Sequence, residues 1–157
     1  MTAASTTPAT ESTVPLQVEH AALHSRVAPR WEPLRVLLVE DSPIIREHLI
    51  EAIATSSRVK VVGCANTEEE AVAALEKDEC DVIILDLGLA EGSGREVLKF
   101  ARADIAYSPV VVIFTNYTNA RKQMMKLGAD YFLSKSEDFD RLRRIMQGLV
   151  SPQGEDD

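Results

Sequence analysis

Val82-Ile83-Ile84-Leu85-Asp86 is an unbroken apolar run closed by a carboxylate. A strand with one face in water alternates apolar and polar residues, so four consecutive aliphatic residues fit a strand covered on both faces. Similar short β-branched runs lie at 36–39, 59–62, 110–114 and 131–133, and segments of helical period separate them. The first helix is expected to open at Ser42-Pro43, a cap followed by proline, and to bury Ile45, Leu49 and Ile53. Thr67 with Glu70, and Ser93 with Glu96, have the spacing of capping boxes at the starts of the second and third helices. Phe139, Leu142, Ile145 and Leu149 share a face of the fifth. The fourth helix, roughly 119–126, has the weakest pattern. Five strand-helix alternations whose strands are buried on both sides predict an α/β fold, a doubly wound parallel sheet of (βα)5 form.

The chain has 157 residues, which fits one domain with tails. Twelve of the first fifteen residues are Ala, Ser, Thr or Pro, too little apolar surface to offset the entropy of ordering. Residues 1–33 are therefore expected to form a disordered or weakly ordered tail, 34–150 the folded domain, and 151–157 an acidic tail ending in Glu155, Asp156 and Asp157. Leu16, Leu23 and Val27 could share a helical face, but Pro29 and Pro33 interrupt the chain, and the segment reads as linker. With 17 Lys+Arg against 25 Asp+Glu the formal charge is -8, which repels a phosphate backbone and argues against direct nucleic-acid binding. No run approaches the roughly 18 apolar residues of a membrane span, and no signal-like segment is evident, so a cytoplasmic location is expected. Cys64 and Cys80 are then expected to be reduced, small core residues.

In a doubly wound sheet, ligands sit beyond the carboxyl ends of the strands. Those positions hold Glu40 and Asp41 after the first strand, Asp86 after the third, Thr115 after the fourth and Lys135 after the fifth. Each has a plain structural reading taken singly: acids favoured by a helix dipole, an Asp starting a turn, an ordinary strand Thr, a flanking charge. The fold would bring all five into one cleft. Three carboxylates there repel one another and raise at least one pKa unless a cation is present. Mg2+ suits them, because it commonly takes one or two carboxylates and retains waters that a phosphate can replace. With the point charge of Lys135 and the hydroxyl of Thr115, the set suits a transferring phosphoryl group.

Val36-Leu37-Leu38-Val39-Glu40-Asp41, the run from Val82 through Asp86 to Leu89, Glu91-Gly92-Ser93-Gly94, Phe114-Thr115, and Gly128-Ala129-Asp130-Tyr131-Phe132-Leu133-Ser134-Lys135 together resemble the receiver domain of two-component response regulators, stand-alone and CheY-like. The resemblance spans about residues 34–150, and the spacings of 45 residues from Asp41 to Asp86, 29 on to Thr115 and 20 on to Lys135 make the combination specific. It implies a flavodoxin-like sheet of strand order 2-1-3-4-5. It implies that Asp86 is the phosphoacceptor, that Glu40, Asp41, Asp86 and the backbone carbonyl of Gly88 hold Mg2+, and that Lys135 and Thr115 contact the phosphoryl oxygens. Phe132 occupies the position of the family's switch aromatic. The implied partners are a sensor histidine kinase or histidine phosphotransfer protein and an unidentified downstream protein. The face of the fourth helix, fifth strand and fifth helix is the expected readout surface and a route to a homodimer.

Three departures stand out. A proline common four residues after the acceptor is Ala90 in this chain, which is expected to loosen that loop, and the one often following the lysine is Ser136, which removes a frequent cis peptide. Asn116 stands where the family usually has a small residue, and is expected to alter access to Asp86 and so the phosphoryl lifetime. His20, His24 and His48 lack the further ligands a metal site needs, and Arg141, Arg143 and Arg144 read as solvated charges near a helix end, or as part of a partner surface. Two rival readings use the same residues: a small Mg2+-dependent phosphohydrolase with Asp86 as nucleophile, and a receiver-shaped binding module that works without phosphorylation. A receiver that only accepts and loses its own phosphoryl group, rather than a turnover enzyme, accounts for the whole set.

Overall fold

The computed structural model describes residues 32–54 and 57–150. Five strands, β1 (Leu34–Val39), β2 (Val59–Ala65), β3 (Val82–Leu85), β4 (Val110–Thr115) and β5 (Tyr131–Ser134), alternate with α1 (Pro43–Ile53), α2 (Glu68–Lys77), α3 (Gly94–Ala103), α4 (Arg121–Lys126) and α5 (Phe139–Val150). Every neighbouring pair of strands is parallel, in the order β2-β1-β3-β4-β5. The expected doubly wound (βα)5 sheet is the fold that forms. The expected N-terminal tail up to residue 31, with its candidate helix and with His20 and His24, and the acidic segment 151–157 lie outside the described residues.

The apolar runs are continuous because both faces of the sheet are covered, and successive side chains go to opposite cores. Val36, Leu38, Val82, Ile84, Val112 and Phe114 pack with Leu49 and Ile53 of α1 and Leu142, Ile145 and Leu149 of α5. Leu37, Val39, Ile83, Leu85, Val111 and Ile113 pack with Ala71 and Leu75 of α2, Val97 and Leu98 of α3 and Met124 of α4. Edge strand β2 departs from this rule. The register with β1 shifts between Val36 and Leu37, leaving Val62 without a partner and exposed. Cys64, in the same strand, is exposed rather than in the core, while Cys80 is buried as expected. A strand covered on its second side only by solvent cannot bury every residue.

The caps set the helix starts, and two of them are incomplete boxes. Ser42, Thr67 and Ser93 accept the backbone N–H groups of Ile45, Glu70 and Glu96 at 3.3, 3.1 and 3.3 Å. The returning carboxylates differ from the local pattern: Glu70 accepts from the N–H of Asn66 at 2.7 Å, and the N–H of Ser93 is taken by Glu68 of α2 at 3.1 Å. The weakly patterned fourth helix is short because a 3₁₀ turn, Thr118–Ala120, precedes six α-helical residues of which Met124 alone is buried.

Candidate functional site

The candidate side chains stand at or just after the carboxyl ends of four parallel strands with buried interiors, which brings them to one rim of the sheet. β1 and β3 pair Val39 with Leu85, so Glu40 and Asp86 follow at the same level; β4 and β5 pair Thr115 with Ser134, one residue before Lys135. Carboxylate oxygens of Glu40, Asp41 and Asp86 all lie within 4.8 Å of one another. Lys135 Nζ stands 2.6 Å from Asp86 Oδ2 and 2.9 Å from Glu40 Oε1, with its side chain 12% exposed. Glu40, Asp41, Asp86 and Lys135 therefore share one cleft, and Thr115 stands at the end of the strand next to Lys135.

The electrostatics follow from burial. Glu40 is 1% exposed. Desolvation raises its pKa above the ordinary carboxylate value, aided by the Asp86 charge and opposed by Lys135 and the Ser42 N–H. Burial alone would lower the pKa of Lys135, but its bonds to Asp86 and Glu40 outweigh that and hold the ammonium charged. Glu40 Oε2 accepts the Ser42 N–H at 3.0 Å, whereas the buried Oε1 faces the Lys135 ammonium at 2.9 Å, a cation it shares with Asp86. A buried carboxylate oxygen left in that state, beside two further acids and only one cation, fits a hard divalent ion.

Thr115 is fully buried, and its hydroxyl accepts the backbone N–H of Tyr117 at 3.2 Å. Lys135 N donates to Thr115 O at 3.1 Å, tying the two residues together. Gly88 N donates to Asp86 Oδ1 at 3.3 Å, and a bridge to Ser93 holds the loop after β3 closed. Phe132 is 4% exposed, in the core with α2, α3 and α4. The guanidinium of Arg121 lies 5.8 Å from its ring centroid and donates to its carbonyl at 3.2 Å.

The structure adds residues that carry no periodic signal in the sequence. Arg46 of α1 donates to the carbonyl of Glu40 at 3.0 Å and hydrogen-bonds Asn66. Tyr117 leaves its ring against Gly88 although 57% of the residue is exposed. His48 makes only an edge contact with Phe139 at 6.4 Å.

Residues 36–147 match the model of the response regulator receiver domain. The chain is 32% identical over 117 residues to an uncharacterized response regulatory protein of Vibrio cholerae, covering 74% of this chain and 48% of that one. It is 30% identical to the nitrate/nitrite response regulator NarL of Escherichia coli, covering 76% and 56%. The chain thus spans about half the length of these curated relatives. Among solved structures, the phosphorylated cyanobacterial phytochrome response regulator RcpA superposes with a TM-score of 0.64 at 26% identity, covering 74% of this chain and 91% of that one. With five strands in this order, an acid cluster and a lysine at one rim, and a family match over most of its length, the chain belongs to the response regulator receiver domain family, whose members work in two-component, phosphorylation-based signalling.

Proposed function

We propose that Asp86 accepts a phosphoryl group from a phosphohistidine, and that the change in charge there switches a surface for another protein. The observation that carries this reading is the ion pair of Lys135 with both Asp86 and Glu40 beside Asp41. In the transfer, the P–N bond of the donor breaks as a P–O bond forms to the Asp86 carboxylate, and the imidazole leaves with the electron pair. The donor is a sensor histidine kinase or a histidine phosphotransfer protein.

Glu40, Asp41, Asp86 and the carbonyl of Gly88 would hold Mg2+. Once bound, the ion supplies neutralisation of the carboxylates and polarisation of phosphoryl oxygens. The protein's own groups do the rest. Lys135 offers the new dianion a point charge, already positioned by the backbone bond to Thr115. Thr115 gives up the Tyr117 N–H to donate its hydroxyl to a phosphoryl oxygen. That exchange is the differential contact by which phosphorylation can shift a population.

Phe132 pairs with Ile113, two residues before Thr115, and α4, β5 and α5 form the proposed readout face, with Arg121, Lys122, Met125 and Lys126 exposed on α4. The same face is the proposed route to any homodimer. No nucleic acid is proposed as a direct ligand of this fold. Among the described residues no helix is long and apolar enough to cross a membrane.

Incubation with Mg2+ and acetyl phosphate should add one acid-labile phosphate that Asp86→Asn abolishes. Multiple turnover of a phosphoester would favour the hydrolase reading instead. Partner binding that survives without any phosphate incorporation would favour a phosphorylation-independent module.

A further inference from the structure

The loop after β3 is fastened to the N-terminus of α2 by bonds that neither loop makes by itself. Ala90 N donates to Asn66 O at 3.2 Å and Glu68 N donates to Glu91 O at 3.0 Å, while Glu68 Oε1 accepts the Ser93 N–H at 3.1 Å. Thr67 and Glu91 form an isolated parallel bridge. Gly92 completes the fit. At φ +79°, its backbone lies so close to Glu68 that a β-carbon there would stand 2.4 Å from Glu68 Cβ. Ser93 is both the cap of α3 and the bridge partner of Gly88, so the carboxylate of Glu68 reaches the loop one bonded step from Gly88.

This geometry also explains Ala90. A proline at 90 would stiffen the loop but would lack the N–H that Ala90 donates to the Asn66 carbonyl. The loop that lacks this proline is tied instead by hydrogen bonds to residues 66 and 68. Contacts from another helix do the work that a ring would do.

We propose that Glu68 is a positioning residue for the metal-binding loop: by holding Ser93 and Glu91 it sets where the Gly88 carbonyl stands relative to Glu40, Asp41 and Asp86. The proposal rests on the phosphoacceptor reading above. It assigns to the first residue of α2 control over metal affinity without contact with the metal, the phosphoryl group or Asp86.

The test compares Glu68→Ala and Glu68→Gln with the wild type in two measurements: Mg2+ affinity by calorimetry, and amide hydrogen exchange across residues 88–94. Glu68→Ala should weaken Mg2+ binding several-fold and speed exchange in the loop, while phosphorylation from acetyl phosphate at saturating Mg2+ stays near wild type. Glu68→Gln keeps an oxygen for the Ser93 N–H and should restore both readouts. Should Glu68→Ala not fold, Glu68→Asp, one methylene too short to reach Ser93, carries the same expectation. Unchanged Mg2+ affinity and unchanged exchange in the alanine variant would overturn the proposal. So would a glutamine variant as weak as the alanine one, because charge rather than placement would then be responsible. A wild type that binds no Mg2+ and takes no phosphate on Asp86 would instead overturn the underlying assignment of function.

Discussion

The ring of Tyr117 rests on the α-carbon of Gly88: a β-carbon built at Gly88 would lie 2.7 Å from Tyr117 Cε2 and 3.1 Å from its hydroxyl oxygen. Two loops that are 29 residues apart in the chain thus meet above the carboxylate of Asp86, to which Gly88 donates its N–H. The backbone N–H of the same tyrosine holds the Thr115 hydroxyl. The side chain is in position to hinder water on its way to the site, and its main chain is hydrogen-bonded to Thr115, the residue proposed to respond to phosphorylation.

Tyr117→Ala should therefore shorten the life of the aspartyl phosphate by roughly three- to tenfold, the span to which about 0.7 to 1.4 kcal/mol of barrier corresponds. Gly88→Ala should displace the ring and act in the same direction. The double variant should be less affected than the product of the two single effects, because both remove one contact. Loss of radiolabel from phosphorylated protein measures all three, and multiplicative effects would dismiss the contact as the cause.

Asn116 is exposed beside this tyrosine. Asn116→Ala is expected to change the dephosphorylation rate as well. A rate equal to wild type would leave control of access to Tyr117 alone.

Glu40 makes the stability of the metal-free protein depend on pH in a definite direction. Its pKa is raised by burial, so the folded chain binds this proton more tightly than the unfolded chain. Its contribution to stability is then full below the ordinary carboxylate value and declines as pH rises through the folded pKa. Glu40→Gln removes that loss, with Lys135 still paired to Asp86, and should melt higher than wild type at neutral pH without Mg2+. Added Mg2+ should stabilise wild type more than the variant. Thermal melts at several pH values with and without the ion decide it; a variant that melts lower throughout contradicts the assigned electrostatics.

The two cysteines should behave differently. Burial pushes the Cys80 thiol up to about 12, whereas Cys64 is exposed on β2. A chromogenic disulfide reagent at neutral pH should titrate one thiol in the folded protein and two in denaturant. Cys64→Ser should abolish the native signal. Two reactive thiols in the native state would show that the region around Cys80 opens readily.

Asp81, like Glu40 and Asp86, is a buried acid paired with a cation. It is 2% exposed and accepts Arg35 N, Nε and Nη2 at 2.8, 3.1 and 3.0 Å, fastening the start of β1 to the turn before β3. Asp81→Ala should cost about 1.5 to 3 kcal/mol, the range for hydrogen bonds to a charged group, since the half-exposed Arg35 can regain water. Urea denaturation measures this, and the site chemistry should survive at temperatures where the variant remains folded.

The amino-acid order alone determined the architecture, because an apolar run such as 82–85 has only one economical environment: a parallel strand between two layers of helices. It also determined which residues stand at the strand ends, since an acid, a hydroxyl or an amine directly after such a run must emerge at the sheet's rim. What only the tertiary structure decided are contacts between segments with no mutual period. Tyr117 against Gly88, Glu68 on Ser93 and Arg46 on Glu40 join loops or helix ends whose local sequences look ordinary, so no spacing announces them. The same holds for burial at an edge: Cys64 lies between Gly63 and Ala65 and is exposed, whereas Cys80 lies between Glu79 and Asp81 and is buried, so local composition points the wrong way and the one-sided position of β2 decides. Periodicity reports how a segment faces its own layer, whereas loop-to-loop geometry depends on where the packed layers leave those loops in space.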